Sequence, residues 1–126
     1  MTIEEATRRY IEAVGEGRLD EVASLLHPDL AFHSGPQTHD REAYLAAIRR
    51  IAPVIVRNEI RELIVSGDEA VVVYDFVTAT PAGAIRSVEW LRFEDGRIRE
   101  IRLLFDPTRW PEVVAELARR TASGLD

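Results

Sequence analysis

Apolar residues recur at helical spacing from the third position onward. Ile3, Ala6, Thr7, Tyr10, Ile11 and Val14 fall on the i, i+3, i+4, i+7 positions of one face. Thr2 and Glu5 form a T-x-x-E capping box ahead of them, and Gly15 and Gly17 predict the end of the helix. Asp20 is placed to cap a second, short helix carrying Val22, Leu25 and Leu26, which Pro28 stops. The apolar run 30–34 reads as a strand ending at Gly35-Pro36, with Gln37, Thr38 and His39 in a loop beyond it. A third helix opens at Asp40, presents Tyr44, Leu45, Ile48 and Ile51, and is bounded by Pro53.

Beyond Pro53 the period changes from helical to alternating. Residues 54–65, 70–80, 84–94 and 97–105 are rich in β-branched residues and read as four long strands. Ser66-Gly67-Asp68, Pro81-Ala82-Gly83 and Glu94-Asp95-Gly96 break them. Breaks this short join antiparallel neighbours, so the four form a twisted meander. Pro111 suits a helix start, and Val113, Val114, Leu117 and Ala118 predict a final helix, with residues 121–126 frayed. Helices and strands are segregated, which makes the class α+β. One picture fits the order: a strongly bent antiparallel sheet wraps the first helix, and the three early helices cover its concave face. The resulting cone leaves room for a pocket, the usual form of a small-molecule site.

Composition narrows this further. The chain has 126 residues, 30% charged and 46% hydrophobic, a net charge of −6 and no cysteine. The length suits one domain, residues 1–126, with a normal core. The absence of cysteine removes disulfides, thiol catalysis and cysteine-ligated metals. An acidic chain whose arginines are interleaved with Asp and Glu does not read as a nucleic-acid surface. No apolar run reaches the ~18 residues of a membrane span, and the charged first ten residues do not read as a signal peptide. A cytoplasmic protein with no membrane or nucleic-acid partner is the expectation.

Two stretches resemble a known family. Arg9-Tyr10-Ile11-Glu12-Ala13-Val14, with Gly17-Arg18-Leu19-Asp20 and Leu25-Leu26-His27-Pro28-Asp29, is similar to the opening of ketosteroid isomerases. Val88-Glu89-Trp90-Leu91-Arg92-Phe93, with Gly96-Arg97-Ile98 and Leu104-Phe105, resembles the last two strands of the same group. Together they cover roughly residues 1–106 and resemble the nuclear-transport-factor-2-like (cystatin-like) superfamily, which includes the ketosteroid isomerase-like and SnoaL-like proteins. The implied fold is its cone, here with an extra C-terminal helix. The fold hosts many activities, so function rests on individual residues.

Four residues carry the candidate chemistry. Tyr10 lies on the apolar face of the first helix, either as a core tyrosine or as a hydrogen-bond donor at the pocket floor. The resemblance implies the second role, toward an enolate oxygen. Strand alternation puts Ser87, Glu89, Leu91 and Phe93 on one face, and Val88, Trp90 and Arg92 on the other. Glu89 is thus either an exposed strand residue paired with an arginine or a buried carboxyl. The resemblance places it beside the tyrosine, where the isomerases carry a protonated Asp. Their catalytic base is also an Asp, and the matching position here is Ser34. His33 is the neighbouring substitute because imidazole titrates near neutrality, although alternation turns it away from Phe32 and Ser34 unless a bulge intervenes. Asp106 matches a strand-ending Asp of SnoaL-like proteins and serves either as an acid–base group or as the cap of the turn at Pro107.

Phe32, Ser34, Tyr74, Phe76, Leu91, Phe93, Ile101 and Leu103 are the expected substrate-binding wall. Asp75, out of phase with Tyr74 and Phe76, belongs on the outer face. That face also carries Val73, Val88 and Trp90, and the resemblance implies a homodimer through it. The three histidines show no ligand spacing, so no metal is expected, and no fingerprint for a cofactor is present. The leading expectation is a cofactor-independent acid–base enzyme, isomerase-like or polyketide cyclase-like, acting on a small apolar carbonyl compound. Two alternatives remain open: a non-catalytic ligand-binding or dimerisation module, and an epoxide hydrolase-like site built on Glu89, Arg102 and Asp106.

Overall fold

The first helix forms where its pattern demands. In the computed structural model, which describes residues 1–123, α1 spans Ile3–Glu16. The Thr2 hydroxyl caps it by accepting from the Glu5 N–H. Its buried face is Ala6, Thr7, Tyr10, Ile11 and Ala13. The turn ends at Gly17, whose φ of 71° is left-handed. Gly15 does not terminate the helix as its type suggested. It lies inside the last turn, where a Cβ would sit 2.5 Å from the backbone nitrogen of Asn58. The strand therefore packs directly on the helix backbone, and Asn58 Nδ2 donates to the Ile11 carbonyl at 3.0 Å.

The remaining elements are α2 (Leu19–Leu25), β1 (Leu26–Ser34), β2 (Gln37–His39) and α3 (Arg41–Ile51). A 3₁₀ turn (Ala52–Val54) leads to β3 (Ile55–Ser66), β4 (Glu69–Thr78), β5 (Ala84–Glu94), β6 (Arg97–Phe105) and α4 (Trp110–Ser123). Asp40 caps α3 by accepting from the Ala43 N–H, as its type predicts. Three expectations are corrected. Asp20 lies in the first turn of α2, and the cap position is Arg18, which makes no side-chain cap bond. Leu26 and Pro28 belong to β1, which is longer than the run 30–34 because an irregularity between Leu26 and Ala31 absorbs the proline. Residues 37–39 pair with β1 as a short strand rather than forming a loop. Of the tail expected to fray, 121–123 are helical, and 124–126 lie outside the described residues.

The six strands form one curved sheet in the order β2-β1-β6-β5-β4-β3. All neighbours are antiparallel except β1 and β6, which pair parallel. Register shifts at Ile55/Arg57 and Ile60/Glu62 interrupt the β3–β4 ladder, the kind of bulge that bends a strand over a helix. The inner face of β5 carries Ile85, Ser87, Glu89, Leu91 and Phe93, all buried, matching the alternation expected. On the outer face, Trp90 is 43% and Leu104 67% exposed. The Arg102 guanidinium lies 4.8 Å over the Trp90 ring. No described helix is long and apolar enough to cross a membrane.

The Gly15 contact gives a direct test. Helix propensity alone favours Ala over Gly by about 1 kcal/mol. Here the clash with a strand backbone outweighs that gain, and overpacking of this kind costs roughly 1–3 kcal/mol. Gly15→Ala is therefore expected to lower the midpoint of thermal or denaturant unfolding, and an unchanged or raised midpoint would show that the helix and β3 are not in backbone contact.

Candidate functional site

Four elements each deliver one polar side chain to the same buried point. Glu89 projects inward from β5, and Tyr74 stands diagonal to it on β4, because Val72 is opposite Glu89 and Ser87 opposite Tyr74. Tyr10 reaches the point from α1. Tyr44 reaches it from α3, its ring stacked on Phe32 with centroids 4.3 Å apart. The Tyr10 hydroxyl donates to Glu89 Oε1 at 2.8 Å, and the Tyr74 hydroxyl donates to Glu89 Oε2. Tyr10 and Tyr44 share a short hydroxyl–hydroxyl bond. A phenol has one proton, and Tyr10 gives its proton to Glu89, so Tyr44 is the donor to Tyr10. The direction of the chain is Tyr44 to Tyr10 to Glu89, with Tyr74 closing on the other carboxylate oxygen.

Glu89 is only 5% exposed. Burial pushes its carboxyl above the ordinary range, the hydrogen bonds from Tyr74 and Tyr10 pull it back, and the net direction is up. All three tyrosines are pushed well above the usual phenol value, first by burial and next by the neighbouring Glu89 charge. A proton in this cluster therefore belongs on the carboxyl before any phenol is ionised.

Above the cluster, a cavity of about 970 Å³ opens between α3, the inner sheet face and α4. Phe32, Ser34, Tyr74, Phe76, Leu103 and Glu89 line it, together with Tyr44 and Ser87. Gln37 and His39 form part of its rim. Glu89 is the only carboxylate among the described lining residues. Leu91, Phe93 and Ile101 do not line the cavity. They are buried in the hydrophobic core further along the same strands. Tyr10 is fully buried behind Tyr44 and holds Glu89 rather than facing the cavity.

Other candidates lie elsewhere. His33 points away from Phe32, onto the outer face, with Nδ1 3.0 Å from Thr38 Oγ1 and Nε2 3.1 Å from Glu100 Oε2. The bulge that could have re-aimed it sits before Ala31, so alternation through Phe32, His33 and Ser34 is unbroken. Asp106 is exposed and caps the turn into α4, with Oδ1 accepting from the Thr108 N–H at 3.0 Å. Bonds from the Thr108 hydroxyl and N–H hold its carboxyl below the usual range. Arg102 faces outward and pairs with Glu100 at 3.0 Å, so Glu89, Arg102 and Asp106 do not converge. Asp75 also faces outward, clamped by Arg86 at 2.5 Å and Arg61 at 2.7 Å. His27, Glu94 and Asp95 approach one another, but His27 Nδ1 accepts from the Asp29 N–H, which leaves the ring proton on the nitrogen facing Glu94.

Tyr44 is the site residue that sequence reasoning missed as chemistry. It was legible as part of the apolar stripe of α3. The available signal was its hydroxyl, since a buried tyrosine needs a hydrogen-bond partner and Phe would otherwise serve.

Comparison with known proteins agrees with this fold. Residues 7–101 match the model of the SnoaL-like domain. A crystal structure from Kribbella flavida superposes with a TM-score of 0.79 at 20% identity, covering 91% of this chain and 95% of that one. An NTF2-like protein of unknown function from Cytophaga hutchinsonii superposes at 0.76 and 16% identity, covering 89% and 96%. A steroid delta-isomerase from Pseudomonas aeruginosa superposes at 0.68 and 21% identity, covering 90% and 86%. No curated protein matches the chain.

Removing the Tyr10 hydroxyl leaves Glu89 Oε1 and the Tyr44 hydroxyl without their buried partner. Tyr10→Phe is expected to cost about 1–3 kcal/mol of stability, the range for an orphaned buried polar group. Chemical denaturation would measure it, and a neutral or stabilising result would rule out the chain as drawn.

Proposed function

The chain belongs to the SnoaL-like domain family, and from that premise we propose that it is a small-molecule enzyme in which Glu89 moves a proton on a compact apolar carbonyl compound. The observation that carries this reading is the placement of a single buried carboxyl, its pKa raised by burial, at the floor of a mostly apolar cavity. Carboxyls so placed are suited to general acid–base work because their pKa moves toward the working pH.

The phenol chain gives the step its logic. Ionised Glu89 accepts from Tyr10 and Tyr74, and Tyr44 spends its proton on Tyr10. Once Glu89 carries a proton on Oε1, that proton can be donated to Tyr10, and Tyr10 can donate to Tyr44. The Tyr44 proton is then free for an oxygen in the cavity. Suppose Glu89 takes a proton from the carbon beside a ligand carbonyl. The C–H electron pair becomes the enolate double bond, the charge settles on the carbonyl oxygen, and the reversed chain supplies Tyr44 as its donor. Returning the proton to a different carbon isomerises the ligand. Tyr44 and Tyr74 stand at the cavity wall, and Tyr10 is a positioning residue. The exposed apolar strip around Trp90 and Leu104 supports pairing of two copies through the outer sheet face as part of the same reading.

A second reading, a binding module without catalysis, is favoured by one observation. Every phenol proton of the cluster already has an internal partner.

A test independent of the natural substrate is α-deuterium exchange of 2-tetralone in D₂O, followed by NMR. The protein is expected to accelerate exchange, and Glu89→Gln, which keeps the shape but cannot take the proton, is expected to slow it by about 100-fold or more. Equal rates for the two proteins would contradict the proton-transfer role and leave the binding module.

A further inference from the structure

The chain carries two arginine doublets near helix C-termini, and they differ in their surroundings. On α4, Arg119 and Arg120 both pair with Glu116, one turn back. On α3, the positions one turn before Arg49 and Arg50 are Leu45, Ala46 and Ala47, none of which carries a charge. Most arginines of the chain are ion-paired. Arg49 and Arg50 have no carboxylate partner among the described residues. Both are exposed, and both line the cavity that Tyr44 and Glu89 line at its buried end. They therefore mark its mouth.

We propose that the cavity takes an organic acid, a compact apolar body whose anionic group is held at the mouth by Arg49 and Arg50 while its other end meets Tyr44 and Glu89. This rests on the reading of the cavity as a ligand site. The orientation follows from charge. Glu89 is the only carboxylate among the described lining residues, and it is buried. A second negative charge beside it would be desolvated and repelled, so the acidic group of a ligand belongs at the other end. A guanidinium offers paired donors to a carboxylate and is always charged. Tyr44 and Arg50 are six residues apart on α3, about 9 Å along the axis, so the phenol cluster and the arginines are separated along the helix. A chain of net charge −6 repels anions at long range, so two unpaired cations at the mouth of an apolar cavity are a local reversal of the molecule's field.

The competing account is that the pair only complements the dipole at the C-terminus of α3. Two fluorescent probes with the same aromatic body separate them: 1-anilinonaphthalene-8-sulfonate, which is anionic, and N-phenyl-1-naphthylamine, which is neutral. The anionic dye is expected to bind more tightly, to be displaced competitively by the neutral one, and to weaken with added salt. In the Arg49→Gln/Arg50→Gln protein its affinity is expected to fall about tenfold or more while that of the neutral dye holds. The Arg49→Lys/Arg50→Lys protein, which keeps the charge, is expected to retain most of the preference. Equal loss of both dyes, or no change in their ratio, would overturn the proposal while leaving the cavity as a ligand site. Failure of the neutral dye to bind the unmodified protein would overturn both this proposal and the reading it rests on.

Discussion

The structure turns on one buried carboxylate and the phenols that hold it. Glu89 sits in the inner face of β5 among Leu91, Phe93 and Ile85, where an unpartnered charge would cost several kcal/mol. Tyr10 and Tyr74 give each of its oxygens a donor, and Tyr44 supports Tyr10. The donors come from α1, α3 and β4, so satisfying one side chain of β5 ties two helices to the centre of the sheet. The packing of the cone and the polar cluster at its floor are the same set of bonds.

The cavity exists because the cone is filled unevenly. At the end of the strands where Leu91 pairs with Ala70, Leu91, Phe93, Ile98 and Ile101 are buried and none of them lines the cavity. At the other end α3 stands off the sheet, α4 crosses the gap with Trp110 edge-on to Phe105, and the space between remains open. Glu89 lies where the two regimes meet, with core on one side and cavity on the other. That position explains how one residue can be nearly inaccessible and still line the cavity.

Much of the fold was legible because periodicity reports which face of an element is covered. The alternation of β5 assigned Ser87, Glu89, Leu91 and Phe93 to one face, and the structure buries all four. The same alternation put His33 outside, and it stays outside. What was not legible depended on contacts distant in sequence. The parallel pairing of β1 with β6 has no local signature. Gly15 looks like a helix terminator until the strand packed on it is known. Whether Leu91 and Leu103 line a cavity or a core depends on which helix lies above each. Glu89 stood out as a lone acid on an apolar face, whereas Tyr44 was hidden within an apolar stripe because its ring packs like phenylalanine and only its hydroxyl joins the hydrogen-bond chain.

Folding raises the Glu89 pKa, so the folded chain binds that proton more tightly than the unfolded chain does. The stability tied to this proton is fully present below the unfolded value and is lost as pH rises through the folded one. The most direct measurement is the titration of the Glu89 carboxyl by ¹³C NMR, with Glu89→Gln identifying the resonance. A midpoint above 4.5, the ordinary value for the side chain, is the result predicted. A midpoint at or below 4.5 would mean that Glu89 is solvated or ion-paired rather than enclosed by the tyrosines, and the proposed proton transfer would lose its basis.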